Sequence, residues 1–325
     1  MERLQDRFGR RFSYLRLSVT EACNFRCTYC LPDGYRKIAP HDFLRVDEAK
    51  RVAAAFVGLG ARKVRLTGGE PSLRKDLPEL IAAVAATGVE TVALTTNGWV
   101  LKREIGAWAA AGLTQVNVSV DSLDRESFAR VTGHDRLEDV LAGVERALDL
   151  GLARVKLNAV LLKDLAARGF DDFADYLRTR PISVRFIEVM RTGDNAAFFA
   201  AQHAPGSVLR DWLAARGWQA QARGGDDGPA IEFAHPDYRG RFGLIAPYAP
   251  GFCDSCNRLR VTARGQLRLC LFGDGGVDLR DLLQADADDE DLRARIVAAV
   301  AGKAARHYLH EGLVGDARHL AQMGG

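Results

Sequence analysis

The sequence predicts an α/β fold: six βα units on a parallel sheet, open or curled into part of a barrel, followed by a smaller C-terminal β-containing region. Three observations carry that expectation. Short β-branched apolar runs alternate with longer amphipathic stretches at roughly 30-residue intervals, the signature of βα units on a parallel sheet. Several of the amphipathic stretches close on a glycine, as helix C-termini do. The alternation then stops after Met190.

The strand-like runs are residues 14–20, 63–67, 91–96, 115–120, 155–161 and 183–190. Between them, 46–60, 76–88 and 137–151 carry helical periodicity and end on Gly60, Gly88 and Gly151. Six units of this kind predict chemistry in the loops that follow the strands. Residues 191–240 hold Trp212, Trp218 and a loop-like stretch at 224–229, with no clear βα unit. Segments 240–248, 257–265 and 266–272 read as short strands, and a helical tail starts near Asp288. The expected division is therefore 1–190 and 191–325.

Composition narrows the function. Of the 325 residues 47% are hydrophobic and 27% charged, which suits a chain with a sizeable core. The net charge is +3 and the Lys and Arg residues are dispersed, so no nucleic-acid polymer or membrane surface is expected as a partner. The N-terminal segment runs straight into a strand without an apolar stretch. A cytoplasmic protein without signal peptide or membrane span is expected.

The six cysteines fall into two triplets, Cys23, Cys27 and Cys30, then Cys253, Cys256 and Cys270. Three per group argues against pairwise bridging, and leaves one position open on a cluster that wants four ligands. The first triplet is C-x3-C-x2-C directly after the first strand, with Tyr29 before its last cysteine. Zinc or chance is the plain alternative for that spacing. The second, C-x2-C-x13-C, could equally be part of a zinc ribbon completed by His235 or an acidic group. After the second strand stands Thr67-Gly68-Gly69-Glu70-Pro71, where a glycine pair admits close backbone approach or a helix-initiating turn. Asp121 reads as an N-cap for the helix after the fourth strand.

Cations recur on the strands. Arg16 lies on the first, Lys63 and Arg65 two apart on the second, Lys156 on the fifth, and Arg258 and Arg260 two apart after the second CxxC. Thr96 ends the third strand. A lone basic residue is usually solvated or salt-bridged. Strands of a parallel barrel are buried on both faces, however, so these charges need partners, and phosphates would supply them.

The first triplet together with the Gly-Gly-Glu-Pro segment resembles the radical S-adenosylmethionine superfamily. The resemblance implies a partial (β/α)6 barrel of the TIM type, which the smaller C-terminal region is expected to close, and a [4Fe-4S] cluster whose open iron holds S-adenosylmethionine, cleaved reductively to a 5′-deoxyadenosyl radical. Tyr29, Gly69, Ser119 and Met190 would then line the S-adenosylmethionine pocket. Both triplets in one chain resemble, over essentially its whole length, the GTP 3′,8-cyclase family of molybdenum cofactor biosynthesis. That implies a second [4Fe-4S] cluster and GTP bound by Arg16, Lys63, Arg65, Thr96, Lys156, Arg258 and Arg260. The product would be 3′,8-cyclo-7,8-dihydro-GTP. It further implies catalytic roles for Arg258 and a terminal Gly324-Gly325, which is otherwise a frayed end. A flavodoxin- or ferredoxin-type electron donor, a downstream cyclic pyranopterin monophosphate synthase and a homodimer are expectations of the same resemblance. The sequence departs from the common family ending at Leu320, Met323 and Ala304, and its loop at 31–43 is short. The rival readings are a radical enzyme that modifies a peptide and an iron–sulfur electron carrier.

Overall fold

Alternation of residue type along each strand decides how the sheet sits. On β1 (Tyr14–Ser18), β2 (Lys63–Thr67), β3 (Thr91–Thr96), β4 (Gln115–Ser119), β5 (Arg154–Leu161) and β6 (Ser183–Glu188), apolar side chains take every second position. Leu15, Leu17, Val64, Leu66, Leu94, Val116, Val118, Leu157 and Val184 are all fully buried against the helices. Each such side chain contributes about 1.5–3 kcal/mol by leaving water. The intervening positions carry Tyr14, Arg16, Lys63, Arg65, Asn117, Lys156, Asn158 and Arg185, which share the concave side. A computed structural model describes the fold over residues 4–36, 42–222, 224, 228–316 and 320–323.

The covering helices are α1 (Val46–Gly58), α2 (Leu77–Ala85), α3 (Leu101–Ala110), α4 (Arg125–Thr132), α5 (Leu137–Asp149) and α6 (Lys163–Thr179). The six strands pair in parallel in sequence order. α4 is capped by Asp124, whose carboxylate accepts from the Ser127 amide at 2.8 Å. The expectation that Asp121 is the cap is thereby corrected: its carboxylate turns inward to Tyr29 and the Val160 amide.

Residues beyond 190 do not close the barrel. They extend its open sheet at both edges, to twelve strands in all. β9 (Arg241–Ile245) joins β6 in parallel, and β10 (Arg258–Val261) joins β1 in parallel. Outside them, β7 (Gln219–Ala220) and β8 (Ile231–Ala234) finish one side antiparallel. β11 (Gln266–Arg268) and β12 (Val277–Asp278) finish the other. Between β6 and β7 lie two short helices, α7 (Ala196–Gln202) and α8 (Ser207–Ala214), in the stretch where the sequence pattern is unclear. The expected helical tail is only α9 (Asp289–Ala301), followed by irregular chain with short 3-10 turns at Leu309–Glu311 and Leu320–Met323. Among the described residues no helix is long and apolar enough to cross a membrane.

Candidate functional site

Strand register sets the cations in rows. Arg16 on β1 lies opposite Arg65 on β2 and Arg260 on β10, and Tyr14 lies opposite Lys63 and Arg258. Across the sheet, Lys156 pairs with Asn117, and Asn158 with Arg185. All ten side chains line one cavity on the concave side. Asn117 Oδ1, Asn158 Oδ1, Arg185 Nε, Arg258 Nε and Arg260 Nε are buried there without a hydrogen-bond partner among the described residues. Leaving such atoms unpaired costs about 1–3 kcal/mol each, which a polar ligand would offset.

The crowding of positive charge shows in the ionisation of the wall. Burial alone would raise the Tyr14 phenol, but Arg65, Arg16 and Lys63 outweigh it and bring it down to about 6. Burial, with the surrounding guanidiniums, pushes Arg16 down to about 9, Lys63 to about 8 and Lys156 to about 6. A phosphate chain would reverse these shifts on the cations. Arg65 is the most tightly committed of the group. Its Nε donates to the Tyr14 hydroxyl at 2.5 Å, and its Nη1 to Leu94 O at 2.8 Å and Thr95 Oγ1 at 3.1 Å. It therefore braces the wall as well as facing the cavity.

Cys253, Cys256 and Cys270 line the same cavity. Cys253 and Cys256 precede β10, so this triplet sits at the N-terminal ends of the parallel strands, not in a loop that follows one as the fold class predicts. Burial works to raise the Cys256 thiol, yet Arg258, Lys303 and Arg260 hold it below the ordinary value. Lys303 donates to the Leu269 carbonyl. Arg10 ties the triplet to the segment after α9, through Cys253 O at 3.2 Å, Ala304 O at 2.6 Å and Ala305 O at 2.5 Å.

The first triplet occupies the loop after β1, at the opposite ends of the strands. The five residues of β1 span roughly 16 Å between those ends. Here backbone approaches backbone. Gly69 N donates to Thr20 O at 2.9 Å and Glu70 N to Ala22 O at 2.7 Å. A Cβ at Gly68 would stand 2.2 Å from Thr20 O, and one at Gly69 2.2 Å from Ala22 O. Glu70, fully buried, accepts from the Asn97 amide at 2.6 Å, the Ser72 amide at 3.0 Å and the Thr96 hydroxyl at 2.7 Å. Burial, with Glu70 nearby, pushes Cys23 up to about 11, and burial with Cys23 and Asp121 pushes Cys30 to about 12. Cys27 is raised well above its ordinary value too, by burial and then by Asp121.

All six cysteines are free and half-buried. Tetrahedral zinc would draw its thiolates to within about 4 Å of one another, given Zn–S near 2.3 Å. Among the described residues no three Cys, His, Asp or Glu side chains meet as ligands of a single ion. Three thiols per site suit a cluster that takes one thiolate per iron and keeps one iron open. The donor sets thus fit iron–sulfur clusters.

The expected pocket residues divide. Arg16, Lys63, Arg65, Lys156, Arg258, Arg260 and Met190 reach the cation cavity. Thr96 is not in its lining, and its hydroxyl donates to the buried Glu70 at 2.7 Å. Tyr29 donates to Asp121 at 3.0 Å and lines a separate cavity of about 340 Å³ beside Cys30, with Thr192, Asn195 and Ala321. Gly69 and Ser119 are half-buried at the ends of β2 and β4 and line neither cavity. The Ala321 backbone hydrogen-bonds the Cys30 thiol, which brings the tail to the first triplet, whereas Gly324 and Gly325 lie outside the described residues. Sequence reasoning missed Tyr14, Asn117, Asn158, Arg185, Lys303 and Arg10. The signal for the first four is a polar residue two positions from a basic or polar one within an apolar strand.

Comparison with known proteins agrees with this layout. The family profile "Radical SAM superfamily" matches residues 17–177, and "Molybdenum Cofactor Synthesis C" matches residues 182–309. The chain is 57% identical over 326 residues to the GTP 3′,8-cyclase of Stenotrophomonas maltophilia (strain K279a), covering 100% of both chains. It is 52% identical over 327 residues to the GTP 3′,8-cyclase of Vibrio cholerae serotype O1 (strain M66-2), covering 100% of this chain and 98% of that one. Among solved structures, Streptococcus suis SuiB bound to S-adenosylmethionine superposes with a TM-score of 0.61 at 14% identity, over 90% of this chain and 68% of that one. That likeness concerns the fold.

Proposed function

The chain belongs to the GTP 3′,8-cyclase family of radical SAM enzymes, and from that premise we propose how its residues divide the work. The cavity between the triplets takes GTP. Its triphosphate lies on Arg16, Lys63, Lys156, Arg258 and Arg260, and Arg185, Asn117 and Asn158 meet ribose or base. The observation that carries this reading is the set of five buried polar atoms without partners among the described residues, all on side chains that line one cavity with the second triplet.

Cys23, Cys27 and Cys30 would hold the cluster that binds S-adenosylmethionine, and Cys253, Cys256 and Cys270 a second one. Bound there, these groups supply radical initiation at one end of the cavity and electron transfer at the other. The protein's own part is positional. Glu70 and the Gly68–Gly69 backbone fix the first loop against β1. The strands hold the nucleotide in the cavity that the second triplet lines, and the buried wall excludes water from the reacting centre. Arg258, beside the second triplet and the Phe252 ring, is placed to polarise the base or its phosphates. Gly324 and Gly325 would complete the cavity from the tail, which the Ala321–Cys30 contact already brings near. A small-protein electron donor, a homodimer, a downstream cyclic pyranopterin monophosphate synthase and a cytoplasmic location belong to the same proposal.

A peptide substrate has weaker support. The SuiB likeness is one of fold at 14% identity, whereas the curated cyclases match over the full chain. The deciding experiment is anaerobic reconstitution with GTP, S-adenosylmethionine and dithionite. About eight irons, four per triplet, and cyclised nucleotide are expected. Cys27→Ser should abolish S-adenosylmethionine cleavage, and Cys256→Ser should keep cleavage but lose the cyclised product. A Cys256→Ser enzyme that cyclises GTP at the parent rate would sink the assignment of the second triplet.

A further inference from the structure

A second cavity, of about 330 Å³, opens at the N-terminal ends of β5, β6 and β9, on the flank away from the second triplet. Arg154, Lys156, Arg239 and Arg241 line it, and among the described residues Glu232 is its one carboxylate. That carboxylate is already engaged. It accepts from Arg185 Nη2 at 2.6 Å and the Ser183 hydroxyl at 3.3 Å, and stands 3.8 Å from Lys156 Nζ. Other surface arginines do carry a carboxylate partner, among them Arg62 with Glu90, Arg125 with Asp135 and Arg295 with Asp281. Neither Arg239 nor Arg241 has a side-chain ion pair or hydrogen bond among the described residues, and both line the cavity together with Lys156.

The second cavity is continuous in its lining with the substrate cavity, since Arg154 and Lys156 belong to both walls. Lys156 thus faces one anion site and borders another, and β9 sets Arg241 beside Ser183, itself beside Lys156. Two open guanidinium forks at the mouth, with an ammonium behind them, match the oxygens of a condensed phosphate rather than a single carboxylate. We propose that this cavity is a second anion site that takes a di- or triphosphate group. The group is either the far end of the nucleotide's own phosphate chain or a free inorganic polyphosphate. The proposal extends the GTP reading above and is separable from it by experiment.

The test uses reconstituted, anaerobic protein saturated with GTP and titrated with inorganic tripolyphosphate, beside the double variant Arg239→Ala/Arg241→Ala. A saturable tripolyphosphate site that the double variant weakens at least tenfold, with GTP affinity and melting temperature kept, identifies a site for free polyphosphate. If GTP blocks tripolyphosphate, and the double variant binds GTP at least tenfold more weakly but GMP as before, the nucleotide's own chain reaches the cavity. No tripolyphosphate uptake beside GTP, together with unchanged GTP affinity in the double variant, overturns the proposal. Should the parent protein bind no GTP at all, the functional reading fails instead, and tripolyphosphate binding to the two proteins still decides the cavity.

Discussion

Tyr14 and Lys156 illustrate what single residues reveal only in three dimensions. Both have folded values near 6, far below their ordinary 10.0 and 10.5. From about pH 6 to 10 the unfolded chain therefore holds more protons at these groups than the folded one. Their contribution to stability is full above the unfolded values and is lost as pH falls through 6. A bound triphosphate should restore both protons. GTP binding at pH 8 is accordingly expected to take up about one to two protons and to weaken as pH rises. Calorimetry in buffers of different ionisation enthalpy measures this, and binding without proton uptake would count against the cation wall as the phosphate site. Arg260→Ala should weaken GTP binding by about 1.5–3 kcal/mol, the range for losing a hydrogen bond to a charged group, with S-adenosylmethionine affinity unchanged. The cysteines and most of the cations were legible in sequence, because alternate spacing on a strand declares a shared face. Arg65 and Thr96 were legible as candidate GTP ligands and Asp121 as a helix cap, but the hydrogen bonds they make were not. Their roles depend on Tyr14, Glu70 and Tyr29, partners that lie 26 or more positions away.

At the scale of elements, the loop after β2 is the clearest case of backbone chemistry. Gly68 has φ +147, and its Cβ position is occupied by Thr20 O. Gly68→Ala must displace the loop after β1. A loss of about 1–3 kcal/mol of stability is expected from strain of this kind. Iron at the first triplet should fall with it while the second triplet keeps its own, as iron analysis alongside melting curves would record. Full iron at both would show that the close approach is incidental. Gly243 makes room in the same way on β9, where a Cβ would meet Arg185 Cγ at 2.8 Å. The six barrel strands were legible to within about two residues, since β-branched periodicity and terminal glycines agree there. α7, α8, β7 and β8 were not. A two-residue strand has no period to detect, and β8 with β7 is held by pairing to β9 rather than by propensity.

For the whole molecule, the decisive feature is that residues after 190 pair with both sides of the six-stranded sheet. β10 covers the free edge of β1 and β9 that of β6. A fragment ending at residue 190 would present two long apolar edges and an unneutralised cation wall. It should elute as aggregate in size exclusion, whereas the full chain should not; a monomeric, cooperatively melting fragment would show that the N-terminal region folds alone. In the full chain the outermost strands, β7 and β12, are two residues each, too short to template another sheet. Six strands were therefore foreseeable as a unit, but their dependence on distant segments was not, because pairing between strands remote in sequence leaves no local pattern. During synthesis this arrangement sets a waiting time. β6 is complete at Glu188, yet the strand that shields β1 ends at Val261. At 5–20 residues per second the ribosome needs roughly 4–15 s to cross that interval. For those seconds the nascent sheet stands open along β1, and a cell that makes this protein must supply chaperone capacity to match.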